Sequence, residues 1–214
     1  SYYSNVGTST TVSSTATNGL YYFYAKDKAG NTSSTYYLYL DTTTPTGTIK
    51  NSSGTAISGY TNGAFSYTAT DTGSGVSYLQ YKKPGSSSWL SYTSGTTIAS
   101  TATNGQYQFR AVDKAGNVSD TKTIYLDSAA PTGTIKNSSG TAISGYTGGA
   151  FSYTATDTGS GVSYLQYKTP GSSSWTTYSS GTTISASATN GLYQFRAVDN
   201  AGNTSAVSSI YLDT

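Results

Sequence analysis

Acidic residues carry most of the chemistry this chain can offer, and they recur in a fixed setting. The segment "DTGSGV" starts at Asp71 and again at Asp157, while "AVDKAGN" and "AVDNAGN" place Asp113 and Asp199 at the end of apolar runs. Each copy thus offers two carboxylates among Ser, Thr and Gly. That is oxygen-rich chemistry of the kind calcium takes, since the ion wants about six to eight oxygens with several from carboxylates. The ordinary use of such an Asp is to accept from nearby backbone N–H groups and cap a turn. Both readings stand for Asp71, Asp157, Asp113 and Asp199. Calcium is the one cofactor these residues suggest, although no dense D-x-D-x-D-G loop is present.

A second group is aromatic. Trp89 and Trp175 each have a tyrosine three residues on, Tyr92 and Tyr178. Such a pair suits stacking against sugar rings, though an aromatic near a hairpin of a sandwich is more often a lid on the core. Further tyrosines, among them Tyr78, Tyr125 and Tyr211, are expected to face outward, where tyrosine serves both as strand former and as contact residue.

What the chain lacks narrows the function classes. Among 214 residues there is no His, Cys or Met, and all nine acids are Asp. The commonest general base, thiol nucleophile and transition-metal ligands are therefore missing. No G-x-S-x-G elbow occurs, and an enzyme is not expected. A net charge of +2 with scattered bases forms no stripe to follow a phosphate backbone, so nucleic acid is not an expected partner. No apolar run approaches the roughly 20 residues of a membrane span, so membrane insertion is not expected either.

The elements that position these residues follow from internal repetition. "PTGTIKNSSGTAISGYT" begins at Pro45 and at Pro131, 86 residues apart, and "YLD" recurs at Tyr39, Tyr125 and Tyr211 with the same spacing. Two near-identical copies, 45–127 and 131–214, are preceded by residues 1–41, which match only the second half of a copy and carry Tyr3 in the place of Trp89. Within a copy the apolar period is two. "AFSYTAT" sets Phe65, Tyr67 and Ala69 on one face, and "QYQFRAVD" turns Tyr107, Phe109 and Ala111 inward with Gln108 and Arg110 outward. Shorter candidates are "GTIK", "GVSYLQYK", "SWLSY", "TTIA" and "TIYLD", separated by Gly-, Ser- and Asn-rich turns. About seven short strands per copy and no helical stripe predict an all-β chain of tandem immunoglobulin-like Greek-key β-sandwiches in an elongated arrangement. Pro45 and Pro131 predict short extended joints between copies.

Gly105-x-Tyr107-x-Phe109 resembles the immunoglobulin pattern in which a corner tyrosine precedes the second disulfide cysteine by two residues, here with Phe109 in the cysteine's place. Together with "DTGSGVSYLQYKKPGSSSWLSY" and "FRAVDKAGNVS", the unit resembles the bacterial immunoglobulin-like tandem repeats of cell-surface and secreted, adhesin-type proteins. The resemblance implies an extracellular, non-enzymatic stalk or adhesive array that meets a host or surface glycan or protein. Two alternatives stay open. One is a carbohydrate-binding accessory module of a secreted enzyme, using Trp89, Tyr92, Trp175 and Tyr178. The other is a filament or surface-layer subunit that self-associates through residues 1–41, whose lone strands would expose an apolar face.

Overall fold

A computed structural model describes residues 7 and 9–214; Tyr3 lies outside the described residues. Residues 1–41 contribute an antiparallel pair, β1 (Gly19–Phe23) and β2 (Tyr36–Leu40). The first full copy contains β3 (Thr46–Asn51), β4 (Gly59–Thr61), β5 (Phe65–Thr70), β6 (Val76–Lys82), β7 (Leu90–Tyr92), β8 (Gly105–Asp113) and β9 (Lys122–Leu126). The second repeats the series as β10 (Thr132–Asn137), β11 (Gly145–Thr147), β12 (Phe151–Thr156), β13 (Val162–Lys168), β14 (Thr176–Tyr178), β15 (Gly191–Asp199) and β16 (Ser208–Leu212). In each full copy a two-stranded sheet, β3-β5 or β10-β12, faces a five-stranded sheet, β4-β9-β8-β6-β7 or β11-β16-β15-β13-β14. The chain is an all-β series of immunoglobulin-like sandwiches.

Two strand assignments differ from the sequence pattern. "TTIA" is reduced to one antiparallel bridge, Ile98 to Phe65, because the segment crossing from β7 to the β5 edge meets it at irregular spacing, Gly95 at Tyr67 and Ile98 at Phe65. Gly59–Thr61, whose "GYT" has no alternation to read, forms a short strand parallel to β9. The crossing segment satisfies the β5 edge. Ile98 exchanges both backbone bonds with Phe65, Gly95 N–H donates to the Tyr67 carbonyl at 3.0 Å, and the Tyr67 N–H donates to the Tyr92 hydroxyl at 2.9 Å. An exposed edge otherwise invites pairing with another chain.

The core is aromatic and centred on Phe109. Tyr67 and Tyr81 stack on its ring at 5.0 and 6.1 Å, while Tyr92 and Phe65 meet it edge-on at 5.2 and 6.2 Å. Such pairs add about 0.5–1.5 kcal/mol each beyond area burial, so packing here takes over where a disulfide would otherwise join the sheets. The corner tyrosine is present three times: Tyr21, Tyr107 and Tyr193 donate to the carbonyls of Thr17, Thr103 and Thr189 at 2.7, 3.0 and 3.0 Å.

Two buried phenols of the second copy behave oppositely. The Tyr178 hydroxyl accepts from Tyr153 N–H at 3.0 Å and donates to the Thr182 carbonyl, whereas the Tyr153 hydroxyl is buried with no well-formed hydrogen bond, only the Ser205 and Ser208 hydroxyls standing near it. Tyr178→Phe should destabilise its copy by about 1–3 kcal/mol, since two backbone groups lose their partner. Tyr153→Phe should leave stability unchanged or raise it. Urea melts of the two variants check the contrast, and equal losses would contradict it.

Candidate metal centre at the module joints

Strand register brings the acidic residues together. β3 opens the copy immediately after the joint, and its first residue, Thr46, pairs with Thr70 at the end of β5. Asp71 therefore leaves the sheet beside the joint. The loop it starts leads into β6, whose first residue, Val76, pairs with Asp113 at the end of β8. The third carboxylate comes from the preceding copy: Asp41 directly follows β2. Carboxylate oxygens of Asp41, Asp71 and Asp113 lie within 4.8 Å of one another, and those of Asp127, Asp157 and Asp199 do the same at the second joint. Asp41, Asp113, Asp127 and Asp199 are buried.

The turn-capping reading of each Asp holds. Asp71 Oδ2 accepts from Gly73 N–H at 3.0 Å and Gly75 N–H at 2.7 Å, and Asp113 accepts from the backbone and side-chain amides of Asn117 at 2.8 and 2.7 Å. Asp41 ties the joint itself. Its Oδ2 accepts from Ser74 N–H at 2.6 Å, its Oδ1 from Thr43 N–H at 3.0 Å, and its carbonyl from Asn117 Nδ2 at 2.9 Å. At the second joint Asp127 accepts in the same way from Ser160 N–H at 2.6 Å, Ala129 N–H at 3.0 Å and Asn203 Nδ2 at 2.8 Å. Asp157 binds Gly159 and Gly161, and Asp199 binds Asn203.

Turn capping does not account for everything at the joint. The hydrogen-bond donors to these carboxylates are neutral amides and hydroxyls, yet three acids converge. Asp71 Oδ1 is buried with no hydrogen-bond partner. Hydrogen bonds from the Thr43 hydroxyl and Ser74 N–H hold the Asp41 carboxyl far below its ordinary 3.8, so it stays ionised. Gly73 and Gly159 form a cradle: a Cβ on either would overlap the Asp41 or Asp127 carboxylate. Anionic oxygens, one of them unclaimed, in a tight oxygen-rich corner are a donor set that fits a hard divalent cation. The joints differ in one charge. Lys114 Nζ would lie 3.6 Å from a Cβ at Gly75, whereas the second joint has Asn200, which donates to the carbonyls of Ser160 and Gly161 at 2.8 and 3.1 Å.

Of the residues singled out from the sequence, Asp71 with Asp113, and Asp157 with Asp199, do share one end of the sandwich. Asp41 and Asp127 were legible only as linker ends; their signal is the acid that closes each "YLD" just before a proline joint. Of the two readings of the aromatic group, the core reading holds for Tyr92 and Tyr178, and no shared platform forms. Residues three apart on extended chain face opposite ways, and Tyr92 and Tyr178 are buried in the cores. They cannot stack on a ligand. Trp89 and Trp175 lie outside the cores, over Arg110 and Lys82 at 4.2 and 4.8 Å and over Arg196 and Lys168 at 4.3 and 4.8 Å.

No family model matches the chain, and no curated protein matches it significantly. Solved structures similar to it are tandem modules. The fibronectin(III)-like modules of Clostridium thermocellum CbhA align with a TM-score of 0.34 and 17% identity over 76% of this chain and 92% of that one. The chicken CNTN1 FN1-FN3 domains align with a TM-score of 0.35 and 14% identity over 91% and 75%. A tetra-tandem repeat from the extending region of a large adhesion protein aligns with a TM-score of 0.31 and 19% identity over 92% and 57%.

Proposed function

We propose that the chain is a non-enzymatic spacer from an exported bacterial surface protein, an adhesive stalk whose module joints are stiffened by calcium. The observation that carries this reading is the origin of the carboxylates: two belong to one copy and the third to the copy before it. An ion held by all three adds to the hydrogen bonds of Asp41 and Asp127 across the joints, and its loss loosens them. The triad alone falls short of calcium's oxygen count, so water and loop oxygens complete the shell.

Small-angle scattering tests the reading. Calcium should increase the maximum dimension of the chain over that in EDTA, and Asp41→Asn with Asp127→Asn should abolish the change. Identical profiles with and without calcium would refute it. The second joint should fill first, because Lys114 places a positive charge near the first and Asn200 places none near the second. Titrating the two single variants separately reads that order.

Self-association is a second reading, favoured by the β1-β2 pair, where Tyr36 and Tyr37 are 72% and 73% exposed and Leu38 60%. Solution mass measured across concentrations decides it, and a monomer at every concentration rules it out.

A further inference from the structure

We infer that the outward faces of the five-stranded sheets form a docking surface for an acidic polysaccharide. Register defines the face. In the first full copy Tyr60 pairs with Tyr125 and Tyr125 with Gln106, in one row. Gln108 pairs with Lys82, and Arg110 with Gln80, in rows further along β8. At one end stands the Tyr60–Tyr125 pair, with ring centroids 5.7 Å apart; its counterpart, Tyr146–Tyr211, has centroids 5.4 Å apart. Tyr146 is 78% exposed, so burial in its own module does not explain it.

The other end is cationic and held in place. Arg110 Nε donates to Gln80 Oε1 at 2.8 Å while its guanidinium lies against Trp89, and Arg196 repeats both contacts with Gln166 and Trp175. A guanidinium held through Nε and its plane presents its remaining N–H groups as a fork suited to a carboxylate. No exposed Asp stands within the strands of either face, since the nine aspartates lie in loops, linkers or at strand ends where Asp113 and Asp199 are buried. The complement is anionic. Tyrosine faces suit the apolar faces of sugar rings, glutamine amides suit hydroxyls, and Arg with Lys suit carboxylates. Gln106 and Arg110 are four residues apart on β8, about 13 Å, so one occupant must extend over several sugar units. Tyr60, Tyr125, Lys82 and Arg110 recur as Tyr146, Tyr211, Lys168 and Arg196, with Leu192 in the place of Gln106, and this recurrence favours a polymer, which gains avidity from repeated sites. Two cations on each face, Lys82 with Arg110 and Lys168 with Arg196, are too few to follow the phosphate spacing of a nucleic acid.

This assignment does not rest on calcium at the joints, and its test is run in EDTA so that the two stand or fall apart. The full chain should bind sodium polygalacturonate in low salt, and dextran, a neutral glucan, should not be bound. Binding should weaken by about tenfold or more in 0.5 M NaCl, as expected for exposed charge pairs. Arg110→Gln with Arg196→Gln should weaken it by about tenfold, and Tyr125→Ser with Tyr211→Ser by a similar factor. Salt dependence and the tyrosine variant keep the proposal testable if the arginine variant loses stability. Absence of polygalacturonate binding, equal binding of dextran, or binding unchanged by both double variants would overturn it.

Discussion

Gly133→Ala should lower the melting temperature of the second full copy by on the order of 10–20 °C, the largest effect expected from a single added methyl group in this protein. The Tyr153 ring lies across β10 so closely that a Cβ at Gly133 would sit 2.6 Å from its Cε2 and nearer still to Cζ and the hydroxyl. Tyr153 is fully buried and stacks on Phe195 at 5.0 Å, so the ring has nowhere to go. Overpacking a rigid core costs about 1–3 kcal/mol and sometimes more. A copy of this size loses about 4–8 °C per kcal/mol. Gly133 is not in the left-handed region, so the penalty is steric. Tyr153→Leu in the same chain should therefore recover part of the loss, giving a double variant more stable than the two single effects would sum to. Differential scanning calorimetry reads the shift, and a melt within about 1 °C of the parent would contradict the packing.

Gly159→Ala should leave both full copies folded and abolish the calcium response of the joint between them. A Cβ there would lie 2.5 Å from Asp127 Oδ1 and closer to the rest of the carboxylate, which must move. Moving it breaks the Ser160 N–H bond to Oδ2 and withdraws one of three converging ligands. Gly159 lies in the loop between β12 and β13, outside the sheets, so the cores should melt as before. Scattering in calcium should show a shorter maximum dimension than the parent, while calorimetry stays near the parent curve. Full retention of the calcium-dependent extension would show that Asp127 is not a ligand.

Much of the architecture was legible without coordinates. The inward set Phe65, Tyr67, Tyr107, Phe109 and Ala111 could be read because a period of two maps directly onto one face of a strand, and the tyrosine corner because its partner carbonyl lies only four residues upstream. The short parallel strand Gly59–Thr61 was not legible, since three residues without alternation carry no periodic signal. Nor was the crossing at Ile98, which depends on how a loop meets an edge. Sequence proximity of Tyr92 to Trp89 leaves a core role and a shared platform both open, and extended geometry, which sends the two residues to opposite faces, decides for the core in the case of Tyr92.

For this protein, local pattern by itself determined the strands, the repeat and the inward face, because backbone periodicity and turn chemistry act over a few residues. Only the tertiary structure decided that Asp41 meets Asp71 and Asp113, and that Tyr60, Tyr125 and Arg110 share one surface. Those meetings depend on register between strands distant in the chain and on one copy abutting the next, and neither leaves a spacing that a single sequence displays.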